Sequence, residues 1–225
     1  SFISYQHSMN ALKSKTESYN MAMVEQAQQV IDEKMRSIDQ LLLDASLNPR
    51  IQRFLYEKKP ITHSDIYSMK IIIDDIVKYR NTNPLVEQLY VYFHNTDVIL
   101  INSGKHTCEF FYEEISPYAD MTYREWQQLL NQNNYKRYLP EKTLKLNNKK
   151  VITCLQSLPF GTKREILGTI GILINTQYIK NILNNIHLDY QGAMYIINQN
   201  GEVIIETGST KFSYHISSLN LPVEE

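Results

Sequence analysis

Six histidines, His7, His63, His94, His106, His187 and His215, are spread along the chain, and no two stand four apart with the flanking glutamate of a zinc-binding helix. A metal site is therefore not expected. Cys108 and Cys154 are the only cysteines, too few for a disulfide framework and without the paired spacing of a zinc site. One bridge or two buried thiols both fit. Ser103-Gly104 and Phe160-Gly161 are isolated, so there is no nucleophile elbow, and the 7 glycines form no phosphate-cradling loop. The carboxylate pairs Asp74-Asp75 and Glu113-Glu114 would point to different faces of a helix and read as solvated surface. Neither catalysis nor a cofactor is expected.

What remains is recognition. In Leu89-Tyr90-Val91-Tyr92-Phe93-His94, strand alternation places Leu89, Val91 and Phe93 on one face and Tyr90, Tyr92 and His94 on the other. The first set would pack on helices. The second would either line a pocket, with rings that stack on a ligand and hydroxyls that orient it, or form an exposed sheet face. Thr153 and Ser157 add hydroxyls from a later strand. Thr122 and Glu125 have the spacing of a capping box, which starts a helix carrying Tyr123, Arg124 and Trp126 and running to about Leu130. Arg124 contributes if it points inward, and Trp126, the only tryptophan, reads as core or pocket wall.

The elements that must position these residues can be read from periodicity. Residues 19–48 contain no Gly or Pro and show apolar positions at helical spacing, among them Val24, Ile31, Ile38 and Ala45, which recur every seven residues. A helix longer than about 35 Å at about 1.5 Å per residue is expected. Its stripe either packs on the domain's own core or pairs two copies in parallel. A break at Asn48-Pro49 leads to a short helical piece, a turn at Pro60 and a second helix capped within residues 62–65, whose apolar side is Ile66, Met69, Ile73, Ile76 and Val77. Residues 89–93 and 98–101 form a hairpin, and residues 150–158 and 166–174 a second. A helix over 175–186 turns Tyr178, Ile179, Ile182, Leu183 and Ile186 inward, and residues 193–197 and 202–205 flank the turn Asn198-Gln199-Asn200-Gly201 as a third hairpin.

Composition narrows the class. Lys+Arg 23 against Asp+Glu 24 gives a formal charge of -1, so no global field recruits nucleic acid or an anionic surface. A hydrophobic content of 43% with 11% aromatic excludes disorder. The longest apolar stretches fall far short of the roughly 18 residues of a membrane helix. Beginning at Ser1 without a charged-then-apolar leader, the chain reads as a soluble part lying between membrane anchors.

The long first helix, the hairpin of residues 89–103, Ile166-Leu167-Gly168-Thr169-Ile170-Gly171-Ile172-Leu173-Ile174-Asn175 and Tyr195-Ile196-Ile197-Asn198-Gln199-Asn200-Gly201-Glu202-Val203-Ile204 together resemble the double-Cache family of extracytoplasmic sensors. The resemblance covers nearly the whole chain and is to members on Gram-positive membrane-bound AraC-type regulators and sensor histidine kinases. It implies an α+β fold: a long N-terminal helix and connector at 1–60, a PAS-like antiparallel-sheet module at 61–186, distal from the membrane, and an incomplete second module at 187–225. It also implies a ligand pocket facing the loop and helix between the first two hairpins. In amino-acid-binding members an Arg-x-Trp-Tyr signature on that helix holds the ligand carboxylate, and an Asp ending the closing strand holds the amine. Arg124-Glu125-Trp126 matches the first part, but Gln127 stands in place of the Tyr and Asn175 in place of the Asp. A neutral Asn accepts a hydrogen bond from an ammonium but cannot balance its charge, which weakens the case for an amino-acid ligand.

The resulting expectation is a bacterial receptor's sensing domain, outside the cell membrane and attached through flanking helices. It binds a small polar ligand through Tyr90, Tyr92, Tyr123, Arg124, Trp126, Thr153 and Asn175, with a homodimer through the first helix as a further expectation. The rival reading is a docking module without a small-molecule ligand. A sheet face closed by Tyr rings favours the rival; a cavity on which Arg124 and Asn175 converge favours the sensor.

Overall fold

The computed structural model describes residues 2–161, 165–184, 193–197 and 202–208. The chain divides into two compact units, one of Met35–Gln177 and a smaller one of Ser1–Lys34 with Tyr178–Glu225. Residues 35–60 fall in the same unit as the main sheet, and residues 178–184 in the smaller one.

Helix α1 (Phe2–Ser46) is longer than the expected 19–48 at its start. It ends before Asn48, whose side chain caps α2 (Pro49–Phe54) by accepting from the N–H groups of Arg50 at 2.9 Å and Ile51 at 3.4 Å. Of the seven-residue stripe, Ile31, Ile38 and Ala45 are buried within the chain and Val24 is exposed. Helix α3 (His63–Thr82) starts from a capping box in which Thr62 and Asp65 satisfy each other's backbone N–H groups.

Its buried side differs from the expected one: Met69, Ile72 and Ile76 are buried, Ile73 and Val77 are half-buried, and Ile66 is 53% exposed. Asp75 shares that inner side, so of the Asp74-Asp75 pair only Asp74 is solvated. Asp75 accepts hydrogen bonds from Asn48 at 3.1 Å and Arg50 at 2.9 Å, with Lys78 at 3.4 Å. Burial alone would raise its pKa; these donors more than offset that and hold it below the ordinary carboxylate value.

Six antiparallel strands follow in the order β3-β2-β1-β6-β5-β4, built from β1 (Val86–Phe93), β2 (Val98–Ile101), β3 (Gly104–His106), β4 (Arg137–Thr143), β5 (Lys150–Leu158) and β6 (Gly168–Asn175). The two expected hairpins are β1–β2 and β5–β6, and β1 and β6 join them into one sheet. Alternation gives the sheet two faces. Phe93 meets Phe54 of α2 edge-on at 4.7 Å, and β1 and β2 lie against α3. On the same face Tyr138 of β4 donates to Asp39 of α1 at 2.7 Å. The opposite face receives α4 (Cys108–Phe110), the π-turn Phe111–Ile115 and α5 (Tyr123–Leu130).

Cys108 and Cys154 are free, buried thiols: Cys108 belongs to the aromatic side of the sheet, whereas Cys154 pairs with Tyr138 in the ladder and shares its helix-facing side. Two buried thiols, not a bridge, is the outcome.

The smaller unit takes the first part of α1, most of α6 (Thr176–Asn184) and the hairpin of β7 (Ala193–Ile197) with β8 (Val203–Gly208). Thr207 of β8 donates to Asn184 of α6 at 2.7 Å. Ile179 and Leu183 are buried as expected, but Tyr178 is exposed; Ile186 and the turn at 198–201 lie outside the described residues. No helix among the described residues is long and apolar enough to cross a membrane.

Candidate functional site

The face of the sheet turned away from α1 to α3 is covered by aromatic rings. The alternation of β1 sends Tyr90 and Tyr92 to this side. The Thr122–Glu125 capping box fixes the start of α5, with the Glu125 carboxylate accepting from the Thr122 N–H at 2.8 Å, and this sets Trp126 and Leu130 inward. Trp126 is the hub: its ring lies 5.0 Å from Tyr112, 5.8 Å from Phe111, 6.0 Å from Tyr90 and 6.4 Å from Tyr123. These separations are the tilted and offset contacts that aromatic quadrupoles favour.

Tyr90 is fully buried, and its ring lies directly over Gly171 of the neighbouring strand. A Cβ at Gly171 would stand 2.0 Å from Tyr90 Cζ and 2.3 Å from its hydroxyl, so only glycine leaves room for the ring. Strand β6 is thus hollowed at one position to admit a tyrosine. The hydroxyl at the end of that ring has no hydrogen-bond partner. Burial pushes its pKa far above the ordinary tyrosine value, only partly opposed by the nearby Trp126 indole N–H, so the group is neutral and its proton has no acceptor.

The other hydroxyls are engaged. Tyr118 and Thr153 share a hydrogen bond at 2.6 Å; Tyr92 donates to Asp97 at 3.3 Å; Gln127 donates to the Tyr123 oxygen at 3.1 Å. Ser157, the second hydroxyl considered on β5, is structural, accepting from the Asn134 N–H and donating to the Gln132 carbonyl. Cys108 lies in the same aromatic cluster, and burial pushes its thiol up to about 12. His94 packs against Tyr92 at a tilt, with ring centroids 4.7 Å apart, and burial lowers its pKa from the ordinary histidine value. Among the described residues no group of His, Cys, Asp and Glu is arranged to hold a metal.

Tyr90, Tyr92, Tyr123, Trp126 and Thr153 therefore come together on one face; Arg124 and Asn175 do not converge there. Arg124 is exposed, since two helical positions before Trp126 correspond to a rotation of about 200°. Asn175 lies at the end of β6, where its amide donates to Glu87 at 3.5 Å and its oxygen accepts from the Gln177 N–H at 2.9 Å. Glu87 is in turn paired with Lys149 at 2.6 Å. Gln127, standing where the resemblance implies a Tyr, serves Tyr123. The sequence reasoning missed Phe111, Tyr112 and Tyr118 as parts of this face. Their density in residues 110–118 was the signal. It also missed Gly171, the second glycine of a strand otherwise rich in β-branched residues.

No family model matches the sequence, and no curated protein matches it. The fold has counterparts among solved structures. The sensory domain of the Campylobacter jejuni chemoreceptor Tlp3 (CcmL) superposes with a TM-score of 0.53 at 13% identity, over 88% of this chain and 74% of that one. The same domain with isoleucine bound gives 0.52 at 14% identity, over 88% and 73%. At these identities the likeness is one of fold: a long leading helix and an antiparallel sheet arranged as in Cache-type sensory domains, as the sequence resemblance implies.

Proposed function

We propose that this chain is the extracytoplasmic ligand-sensing domain of a transmembrane signalling receptor, and that the aromatic face of its six-stranded sheet is the ligand site. The observation that carries the proposal is the Tyr90 hydroxyl, fully buried among rings and without a partner. An unmet polar group in a folded core costs free energy, and one set among rings at the centre of the sheet calls for a reason to be kept. Rings close this face and Arg124 and Asn175 do not converge on it, so a ligand enters only if the segment running from α4 to α5 lifts off the sheet, and it would then give that hydroxyl its partner. The shared fold with a sensory domain solved with isoleucine bound supports a small organic ligand. The ligand contacts are Tyr90, Tyr92, Tyr123, Trp126 and Thr153; Arg124 and Asn175 are not among them.

Binding would bias the receptor between its states only through different affinities for them. A shift of α4 and α5 against the sheet is the change such a ligand would make. The output region is a DNA-binding regulator or a histidine kinase, carried with the membrane-spanning helices elsewhere in the receptor, in keeping with the Gram-positive members that the sequence resembles. Any pairing of two copies along α1 would use positions other than Ile31, Ile38 and Ala45, which are buried.

The test is a thermal-shift panel of amino acids, sugars, organic acids, nucleobases and short peptides, run on the chain and on Tyr90→Phe. A ligand at a hundredfold excess over its Kd adds about 2.7 kcal/mol of stability by mass action. A reproducible rise in Tm that is lost in Tyr90→Phe is expected. A flat panel on cooperatively folded protein overturns the proposal. It would favour a second reading, in which the rings that already close this face are simply core and the domain docks a partner protein through its surface.

A further inference from the structure

On the opposite side of the main sheet, α2 and α3 enclose a groove of about 290 Å³. Its walls are two stripes of equal spacing. From α2 and the turn after it come Arg50, Arg53, Phe54 and Glu57, at i, i+3, i+4 and i+7. From the first two turns of α3 come Ser64, Tyr67, Ser68 and Ile71, at the same intervals. Residues so spaced share one helix face, so each helix turns a single face to the groove.

The chemistry of those faces is uneven. Phe54 is buried and Ile71 half-buried, which makes an apolar floor, while Tyr67 is 67% exposed and stands at the rim. Asp75 anchors Arg50 through Nη1 at 2.9 Å, which fixes the direction of the guanidinium and leaves its other donors uncommitted to that carboxylate. Arg53 is exposed and makes no ion pair among the described residues. Glu57 is the single carboxylate on the walls, against two guanidinium groups, of which Arg50 is already paired with Asp75 behind the groove. One anchored and one exposed arginine fork beside a hydroxyl, over an apolar floor, match an oxyanion attached to a small carbon skeleton.

We infer that the groove between α2 and α3 is a second binding site, separate from the aromatic face, for a small organic oxyanion, either a carboxylate or a phosphate ester. Arg50 and Arg53 hold the anionic end, Ser64 supplies a hydroxyl contact, whereas the Ser68 hydroxyl is committed to the Ser64 carbonyl at 3.1 Å, and the carbon skeleton rests on Phe54 and Ile71. Glu57 opposes the bound charge and keeps the site selective for ligands whose anion lies at the arginine end.

Calorimetric titration at pH 7.5 and constant ionic strength tests this, with citrate as the carboxylate probe, glucose 6-phosphate as the phosphate-ester probe and glucose as the uncharged control. Saturable one-site binding of at least one anionic probe is expected, and the arm that responds names the oxyanion. Arg53→Ala should weaken it by tenfold or more and Glu57→Gln should tighten it severalfold, both being surface changes that leave the fold intact. Tyr90→Phe should leave it unchanged, so this site stands or falls independently of the aromatic one. Absence of saturable binding, binding of glucose with equal strength, or binding indifferent to both groove substitutions overturns the inference.

Discussion

Replacing Tyr90 with phenylalanine should make this protein more stable. The substitution removes one oxygen and nothing else, and the ring keeps its contacts at 5.0 Å with Phe111 and 6.0 Å with Trp126 and its seat over Gly171. That oxygen is buried without a hydrogen-bond partner, a condition that costs about 1–3 kcal/mol relative to water. Its dispersion contacts, at about 0.1–0.2 kcal/mol each, return only part of this. The net gain should therefore be about 1 kcal/mol, which for a chain of this length moves Tm upward by about 2–4 °C. Differential scanning calorimetry of the two proteins at pH 7.5, in parallel with urea unfolding, measures it. An unchanged or lower Tm for Tyr90→Phe would instead mean that the hydroxyl already has a partner. The same substitution should abolish a ligand-induced shift, so stability and sensing are expected to move in opposite directions at one atom.

Gly171→Ala should be severely destabilising, by about 3 kcal/mol, because its Cβ would occupy the space of the Tyr90 ring; urea unfolding should show a much smaller loss in a Tyr90→Ala background, where that ring is gone. Stability should fall on acidification below pH 6.5, because burial keeps His94 neutral in the folded state while the unfolded chain takes up the proton; Tm measured from pH 7.5 to 5.5 should drop less for His94→Gln. Cys108 and Cys154, each pushed up to about 12 by burial, should resist a thiol-specific disulfide reagent at pH 8 in the native protein, and both should react in guanidinium; one or no reactive thiol in denaturant would reveal a bridge.

Much of the sheet was legible because its strands are central and obey simple alternation. Leu89, Val91 and Phe93 separate from Tyr90 and Tyr92 by parity alone, and the Thr122–Glu125 spacing announces α5. Strand β4 escaped notice because it is an edge strand: Pro140 interrupts it, a bulge lies between Leu139 and Lys142, and half its side chains are charged or polar. Asp75 misled for a different reason. An acidic residue on a helix is usually solvated, and nothing local announces that Asn48 and Arg50, some 25 residues earlier, will meet it. The orientation of Arg124 was legible in principle, since a helix that buries Trp126 cannot also turn inward a residue two positions before it. A matching motif suggested otherwise, and helix geometry decided. The aromatic density of residues 110–118 marked that segment for burial, but the way it closes over the sheet was not legible, because the π-turn Phe111–Ile115 has no periodic signature.

The two outer strands of the main sheet also bear on how the protein behaves in company. An unprotected edge is a template on which a neighbouring chain can add a strand. Here one edge, β3, has only three residues with Lys105 at its centre, and the other, β4, is broken by Pro140 and its bulge. Neither offers an uninterrupted ladder of free N–H and C=O groups. The sheet is thereby guarded against edge-to-edge aggregation, which lets many copies stand close together without polymerising through their strands.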